Sequence, residues 1–282
     1  MGAGLGNQMN IYASCKTLAK LKNTELKLDI TYFDTIPKYK YYEFKFWLGN
    51  FNISSKIASK EEVRKYIYKT KFRYINKIFR KLRLFEKNVN EEGFDFNLNN
   101  FSDLPDDTYI RGYFGDYRYF DNIKDDLKKE FTLKDEFKKK IQEKLDKIKK
   151  ENSVSVHIRR GDLLYLKGRS TLPLDYYKKA VDIINKKIKN PQFYVFSDDI
   201  PWCKENFKFL GKNTEFCEGN MVEQDFELMK ECKHKILANS AFSWWAGYLG
   251  QKISSIIISP RCISHIQSDS VSQNIPADWI LI

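Results

Sequence analysis

The chain has 282 residues, a length that suits one large domain or two of ordinary size. Its formal net charge is +12, and 42% of its residues are hydrophobic, which is typical of a globular protein. No stretch approaches the roughly 18 uninterrupted apolar residues of a membrane span. The first residues also lack the basic segment and apolar core of a signal peptide, so the sequence does not predict secretion. The five cysteines are odd in number and lack a C-x-x-C spacing, which excludes a disulfide framework and a zinc knuckle as predictions. We therefore expect a cytoplasmic protein with reduced, buried thiols.

The first elements predict α/β architecture. The glycine-rich stretch "GAGLGNQ" (2–8) leads into helical periodicity, and "ELKLDI" (25–30) alternates as a strand. It is not the dinucleotide fingerprint, because Asn7 stands where the third glycine would be. We expect the backbone at Gly6 and the side chains of Asn7 and Gln8 to contact a phosphate or sugar, with a simple turn as the alternative.

Positive charge is concentrated in residues 56–87, which contain twelve Lys or Arg and three Glu and so carry +9 of the total +12. Such a segment indicates an anionic partner. Apolar side chains recur there at helical spacing (Ile75, Ile78, Phe79 and Leu82), which predicts a helix with one apolar stripe and a cationic remainder. A solvated helix face and an anionic membrane surface remain open; the helical spacing of the aromatics disfavours a stacking platform for nucleic acid.

Residues 121–152 have helical periodicity and predict one exposed helix, at whose end we place a domain boundary. The predicted domains are 1–152 and 153–282. In the second domain, strands are predicted at 153–158, 192–197, 235–239 and 254–259, with helices at 174–188, N-capped by Asp175, and at 241–250. This alternation of helices with near-continuous apolar strands predicts a parallel sheet covered on both faces.

Three polar clusters follow strands of this predicted sheet: "HIRRGD" (157–162), "SDD" (197–199) and "NSAFS" (239–243). Ligands collect at the carboxyl ends of parallel strands, so we expect the clusters to share one site. Arg159 and Arg160 have the planar, permanently charged geometry that suits a diphosphate. Ser240 and Ser243 add hydroxyl donors near a helix start, where the helix dipole also favours an anion.

Alternatives to this nucleotide site remain at each cluster. Asp198 or Asp199 can accept from the N1 and N2 donors of guanine, or can serve as a turn or N-cap residue. The two arginines can instead form an ion pair with Asp162, and His157 can be a core histidine rather than a phosphate or sugar donor.

Metal and hydrolase chemistry are not predicted. The three histidines (157, 234 and 265) are far apart, and the sequence has no D-x-D spacing to hold a divalent ion against a diphosphate. It also lacks the G-x-S-x-G elbow of a serine hydrolase.

Five stretches, in one order along nearly the whole chain, resemble the bacterial α-1,2-fucosyltransferases: "GLGNQM", "RGYF…RYF", "HIRRGD", "FSDD" and "ANSAFSWWAGYL". The third and fifth are the specific ones. The resemblance implies a GT-B fold, in which two Rossmann-like domains with parallel sheets face each other across a cleft. It also implies inverting, metal-independent transfer of L-fucose from GDP-fucose to the 2-hydroxyl of a terminal galactoside, on an oligosaccharide or lipid-linked glycan, without a cofactor.

The resemblance further implies roles for individual residues. Arg159 would hold the donor diphosphate, with Arg160 and His157 in support, and Asp198 would bind guanine. The remaining donor-side residues that we predict are Gly6, Asn7, Gln8, Ser197, Asn239, Ser240, Phe242 and Ser243. The N-terminal domain would lie on the acceptor side, where Asn10 and Gly115, with Leu163 of the second domain, depart from the family pattern.

An inverting transfer also needs a group that takes the acceptor's proton. Asp162 is our prediction for this base, with Asp29, Asp34 and Asp116 as the other candidates. The alternatives at the level of function are transfer of another sugar from a GDP donor, a different fucosyl linkage, and a basic membrane- or nucleic-acid-binding protein. We expect a cytoplasmic location, with peripheral contact with an anionic inner membrane as a further hypothesis.

Overall fold

A computed structural model describes residues 4–34, 45–67, 72–82, 89–91, 102–112, 114–165, 170–261 and 275–282. The chain divides into two compact units, Met1–Phe131 and Thr132–Ile282. Among the described residues, no helix combines the length and the apolar character needed to cross a membrane. Four of the five cysteines fall in the described part, and all four are buried free thiols, as expected (Cys15, Cys203, Cys217 and Cys232).

The first unit begins with the helix and strand that the sequence predicts. Helix α1 (Leu5–Leu21) buries Met9, Tyr12 and Leu18 and is followed by strand β1 (Lys27–Leu28). Strand β1 pairs in parallel with β2 (Lys56–Ile57), and β3 (Val89–Glu91) pairs in parallel with β4 (Tyr109–Arg111). Helices α2 (Lys60–Arg64) and α3 (Arg73–Lys81) lie between β2 and β3 in the chain. In the described part of this unit, the sheets are therefore two parallel pairs rather than one broad Rossmann-like sheet.

The boundary between the units precedes the predicted one, because the single helix predicted over 121–152 is broken. Helix α4 (Lys124–Glu130) ends where Phe131 and Leu133 become fully buried. The ring of Phe131 packs 5.5 Å from that of Tyr12 in the first unit. The chain then forms α5 (Asp135–Lys138) and α6 (Gln142–Lys150), which belong to the second unit.

Helix α6 belongs with the second unit because of its packing and its link to the first strand there. Its Leu145 and Ile148 are fully buried, and Ser153 Oγ donates to the carbonyl oxygen of Ile148 at 2.8 Å. The sequence shows that these apolar residues share one helical face. It does not show that the helix is interrupted after Glu130, where Phe131 packs in the core of the first unit.

The second unit contains one six-stranded sheet in which every neighbouring pair is parallel, which confirms the predicted α/β class. The strands lie in the order β10-β9-β8-β5-β6-β7. This is the 3-2-1-4-5-6 order of doubly wound folds, with β5 as strand 1 and β8 as strand 4. The strands are β5 (Ser153–Ile158), β6 (Gln192–Ser197), β7 (Thr214–Phe216), β8 (His234–Ile236), β9 (Ile257–Ser259) and β10 (Ile280–Leu281).

In the described part of this unit, four helices lie between these strands in the chain: α7 (Leu174–Lys187), α8 (Ile200–Asn206), α9 (Val222–Glu231) and α10 (Ala241–Gly250). All six residues of β5 are buried, as a strand covered on both faces requires. Helix α7 is capped by Pro173, so Asp175 lies in its first turn and is not the N-cap that the sequence predicted. Strands β7 and β10 were not predicted, because two or three residues are too few to show alternation.

Candidate functional site

The site is built at the switch point of the second sheet. Strand β5 has β6 on one side and β8 on the other, so the connections after β5 and β8 diverge and leave a crevice at the carboxyl ends of these strands. The chain leaves β5 into Arg159 and Arg160 and leaves β8 towards Asn239 and Ser240. The three polar clusters predicted from the sequence therefore lie at one edge of one sheet.

Two adjacent tyrosines of α7 fix the strand ends that border this crevice. The hydroxyl of Tyr177 donates to the carbonyl oxygen of His157 at 3.2 Å, and that of Tyr176 donates to the carbonyl oxygen of Leu237 at 2.7 Å. Burial raises the pKa of both phenols, so both remain protonated donors. Neither tyrosine was predicted as part of the site. Their adjacency at the start of a helix that follows β5 was the available signal.

Asp198 organises the loop that follows β5. One of its carboxylate oxygens accepts from the backbone N–H groups of Arg160, at 2.8 Å, and Gly161, at 3.0 Å. The other oxygen forms an ion pair with Nη1 of Arg159. A Cβ atom on Gly161 would lie only 2.5 Å from Asp198 Oδ2, so glycine is required for this close approach. The carboxylate that the sequence assigned to guanine therefore holds the arginine loop.

Arg160 is held from two directions. Its Nε donates to Asp199 Oδ2 at 3.0 Å, and its guanidinium carbon lies 3.6 Å above the centre of the Trp202 ring, a cation–π contact. Asp199 also caps α8 by accepting from the backbone N–H of Trp202 at 3.3 Å, and its own N–H donates to Ser197 Oγ at 3.0 Å. Ser197 therefore shapes the turn that presents Asp199. The role of Trp202 was not found by sequence reasoning.

The sequence offered an ion pair with Asp162 as the alternative role of the two arginines, and the described residues show ion pairs with two other carboxylates. Arg159 and Arg160 pair with Asp198 and Asp199, which follow the neighbouring strand β6. Asp162 lies in the 3₁₀ turn Gly161–Leu164, and its side chain falls outside the described part of the chain. The pair with Asp162 stays a prediction beside the observed cross-strand pairs of the two arginines with two aspartates.

The connection from β8 into α10 is a tight turn built by its serines. Ser240 is the N-cap, and its Oγ accepts from the backbone N–H of Phe242 at 3.3 Å. The fully buried Ser243 accepts from the N–H of Ala238 at 3.2 Å and lies within hydrogen-bond distance of the carbonyl oxygens of Ala238 and Ser240. The Ser243 hydroxyl, predicted as a phosphate donor, therefore serves the turn. The amino end of α10 begins at this edge of the sheet, where its dipole favours an anion.

Two side chains connect the clusters after β5 and β8. The buried His157 ring lies 5.4 Å from the Phe242 ring, which in turn lies 5.9 Å from Phe226 of α9. The side-chain amide of Asn239 donates to the carbonyl oxygen of Ser170 at 3.1 Å. The structure thus brings together the predicted residues of the second unit.

The predicted residues Gly6, Asn7 and Gln8 lie in the first turn of α1, in the first unit. Gln8 is fully buried: its Nε2 donates to the carbonyl oxygen of Lys45 at 2.8 Å, and its Oε1 accepts from the N–H of Trp47 at 3.0 Å. This side chain fixes a neighbouring segment. Asn7 is half-buried, and Gly6 is buried in the helix.

The three candidate bases of the first unit differ in their surroundings. Asp29 accepts from the Thr31 N–H at 2.8 Å and the Tyr109 hydroxyl at 2.6 Å, and it borders a cavity of about 370 Å³. Asp116 pairs with Arg118 at 2.6 Å, and Asp34 pairs with Lys60 at 2.9 Å. Both of these carboxylates thus have a cationic partner of their own. In the described ranges, no group of three or more His, Cys, Asp or Glu is arranged to hold a metal ion.

Comparisons with known proteins identify the family of this chain. The model of glycosyl transferase family 11 matches residues 1–282. An Escherichia coli α-1,2-colitosyltransferase is 32% identical over 100% of this chain and 97% of its own length. The O-antigen biosynthesis glycosyltransferase WbnK of Escherichia coli is 31% identical over 93% and 92%. Rat galactoside α-(1,2)-fucosyltransferase 2 is 31% identical over about half of this chain (49%) and 42% of its own.

A solved structure supports the fold. The crystal structure of POFUT1 in complex with GDP-fucose aligns with 99% of this chain and 96% of its own, at a TM-score of 0.54 and 12% sequence identity. At this identity the likeness concerns the fold alone, and it agrees with the α/β architecture described above. The family match covers the whole chain and confirms the resemblance that the motifs indicated. The chain therefore belongs to glycosyl transferase family 11 and is a glycosyltransferase.

Proposed function

We propose that this glycosyltransferase transfers L-fucose from GDP-fucose to the 2-hydroxyl of a terminal galactoside, with inversion at the anomeric carbon. The observation that carries the proposal is the arrangement of Arg159 and Arg160, held by Asp198 and Asp199 at the switch point of a doubly wound sheet. Nucleotide diphosphates bind at this position in such sheets. The names of the relatives supply the sugar and the linkage.

Arg159 is the proposed diphosphate ligand. Its side chain is about four-fifths buried, with 20% exposed, and its Nη1 pairs with Asp198. A guanidinium has five N–H donors in a planar fork, a geometry that binds two phosphate oxygens at once. The amino end of α10 and His157 border the same crevice and add donors for the phosphate oxygens. Asn7 and the backbone at Gly6 remain proposed donor contacts from the first unit.

This arrangement suits departure of GDP. Negative charge grows on the diphosphate as the glycosidic bond breaks, and a fixed cation at the phosphate stabilises that transition state. A guanidinium keeps its charge at any physiological pH. We therefore propose that transfer does not require a divalent cation and expect full activity in EDTA. A strict requirement for Mg²⁺ or Mn²⁺ would contradict this part of the proposal.

Asp162 is the proposed base for the acceptor hydroxyl, because it directly follows the arginine loop in the chain. Asp162→Asn would then lower kcat strongly and remove the acidic limb of the pH–rate profile, while GDP binding is retained. Asp29→Asn is the matched comparison, since Asp29 borders the cavity in the first unit. Loss of the acidic limb in Asp29→Asn alone would move the base assignment to Asp29.

A second candidate differs only in the donor sugar. The relative that is 32% identical over the whole chain is named an α-1,2-colitosyltransferase, and colitose is fucose without its 3-hydroxyl. The deciding experiment offers GDP-fucose, GDP-colitose, GDP-mannose and UDP-galactose with a lactose-type acceptor and identifies the product linkage. We expect the fucosylated product. Transfer confined to GDP-colitose would establish the second candidate, and transfer confined to GDP-mannose would overturn both.

The diphosphate assignment is tested by Arg159→Ala, which should abolish transfer, and Arg159→Lys, which keeps the charge but loses the planar fork and should also be poor. The matched control is Arg64→Ala, because Arg64 is exposed in the first unit. Wild-type activity in Arg159→Ala would remove the diphosphate assignment. An intact far-ultraviolet circular dichroism spectrum shows that the variants are folded.

The acceptor is proposed to be a galactose-terminated oligosaccharide or lipid-linked glycan. We place the reaction in the cytoplasm, with peripheral contact at an anionic membrane. A surface of the first unit gives that contact a specific form.

A further inference from the structure

Helix α3 has large apolar side chains on the molecular surface. The exposed fraction is 83% for Tyr74, 55% for Ile78 and 59% for Leu82. Ile75 is also exposed, as is Phe72, which directly precedes the helix. The sequence predicts an apolar stripe of Ile75, Ile78, Phe79 and Leu82, and three of these four side chains are exposed while Phe79 is half-buried. Exposed apolar side chains that gather on one element indicate an interaction surface.

The apolar positions share one side of the helix. At 100° per residue, positions 74, 75, 78 and 82 fall within an arc of roughly 100°. The basic positions 73, 77, 80 and 81 fall on the other side, and residues 72–83 include no Asp or Glu. The helix is therefore amphipathic, with an apolar face and a cationic face.

The net charge of the surrounding segment determines which partner fits this face. Residues 56–87 carry +9 of the chain's +12. A specific protein partner would favour charges of both signs around the apolar face, to fix its register. An anionic lipid surface binds any helix that has an apolar face bordered by Lys or Arg. The aliphatic parts of these side chains lie along the apolar region while their charged ends contact the lipid headgroups. Tyr74 adds the amphipathic ring that is common at membrane interfaces.

We propose that α3 lies in the interface of an anionic phospholipid bilayer, with Tyr74, Ile78 and Leu82 inserted and the basic positions on the headgroups. The helix has nine residues, and its contact with the bilayer is accordingly reversible and depends on charge as well as on apolar burial. This docking surface does not rest on the proposed sugar transfer.

The test is flotation of the full chain with vesicles of phosphatidylglycerol and phosphatidylcholine, compared with vesicles of phosphatidylcholine alone. We expect binding to the anionic vesicles only, and loss of that binding at high salt. Ile78→Ser/Leu82→Ser should weaken the binding by about tenfold, and Lys77→Glu/Lys81→Glu by at least as much. Transfer to a soluble acceptor should stay unchanged in both variants.

Two matched controls separate α3 from general surface effects. Ile253→Ser removes an exposed apolar side chain in the second unit, and Lys186→Glu/Lys187→Glu reverses two exposed charges on α7. Both should bind vesicles like the wild type. Failure of the wild type to float, or flotation of Ile78→Ser/Leu82→Ser like the wild type, would overturn the proposal. So would a wild-type dimer, seen by analytical ultracentrifugation without lipid, that these substitutions dissociate.

Discussion

Asp198→Asn separates two roles for this side chain that the sequence left open. An asparagine keeps one oxygen for the backbone N–H groups of Arg160 and Gly161, which lie 2.8 and 3.0 Å from the present carboxylate oxygen. It places an amino group opposite Arg159 Nη1, where the ion pair is now. The loop hydrogen bonds can persist, whereas the arginine faces a donor instead of an acceptor.

The expected loss follows from the exposure of this pair. Hydrogen bonds to charged groups contribute about 1.5–3 kcal/mol. The two side chains are 20% and 26% exposed, so solvent screens part of the interaction and the lower half of that range applies. Since 1.36 kcal/mol corresponds to about tenfold in rate, the lower half of the range predicts that kcat/KM falls by about 13-fold to 45-fold.

The assay compares GDP-fucose with IDP-fucose, whose hypoxanthine base lacks the 2-amino group of guanine. If Asp198 positions Arg159, kcat/KM should fall by the same factor for both donors, and their ratio should stay at the wild-type value. If Asp198 instead accepts from the guanine N2 amino group, the variant should lose its preference for GDP-fucose. A collapsed ratio would therefore refute the positioning role. Asp182→Asn, on the exposed face of α7, is the matched control.

Three further predictions follow from close approaches and burial. Gly161→Ala should lower kcat/KM about as much as Asp198→Asn, because its Cβ would lie 2.5 Å from Asp198 Oδ2, and the double variant should be little worse than either single one. Gly250→Ala should lower the free energy of unfolding, measured by urea titration, by about 3 kcal/mol or more, because the new Cβ would lie 2.1 Å from the Lys230 carbonyl oxygen. Gly115→Ala is the control and should leave the free energy of unfolding nearly unchanged, because its Cβ would have no atom within 4 Å. Burial raises the pKa of the Asp225 carboxyl to about 7, so between pH 4 and 7 the folded chain retains a proton that the unfolded chain releases. The free energy of unfolding of the wild type should therefore fall by roughly 2–4 kcal/mol relative to Asp225→Asn as the pH rises from 4 to 7. Urea titrations that give a constant difference between the two proteins over this range would contradict the prediction.

The sequence predicted the second unit well where its elements are long and regular. The strands at 153–158 and 192–197 and the helix at 241–250 were predicted with their observed bounds, because buried strands and an apolar helix leave clear patterns. The break at Phe131 was missed, because lysine-rich helical periodicity continues on both sides of it. Only the core of the first unit, where Phe131 packs on Tyr12, explains the interruption.

The sequence also predicted which clusters would meet, but not what their side chains would do there. Arg159 lies beside Asp198 because β5 and β6 are neighbours in the sheet, and the order of strands in a sheet cannot be derived from the amino-acid sequence alone. Ser243 and Gln8 look like ligand donors in the sequence, yet both are fully buried and bind backbone groups. A short polar side chain beside a turn satisfies local backbone groups as readily as a ligand, and only coordinates separate the two.

The two adjacent arginines have different surroundings, and this difference affects the entropy that each side chain loses when the donor binds. Arg160 is fixed by Asp199 and by the Trp202 ring together, and its contacts run along the loop and into α8. Arg159 pairs with Asp198, which also accepts hydrogen bonds from the backbone N–H groups of Arg160 and Gly161. An arginine side chain has about 2 kcal/mol of rotamer entropy to lose, and a side chain ordered before the donor arrives does not lose it on binding. Arg160 thus anchors the loop, and Arg159 is ordered before the proposed diphosphate ligand binds.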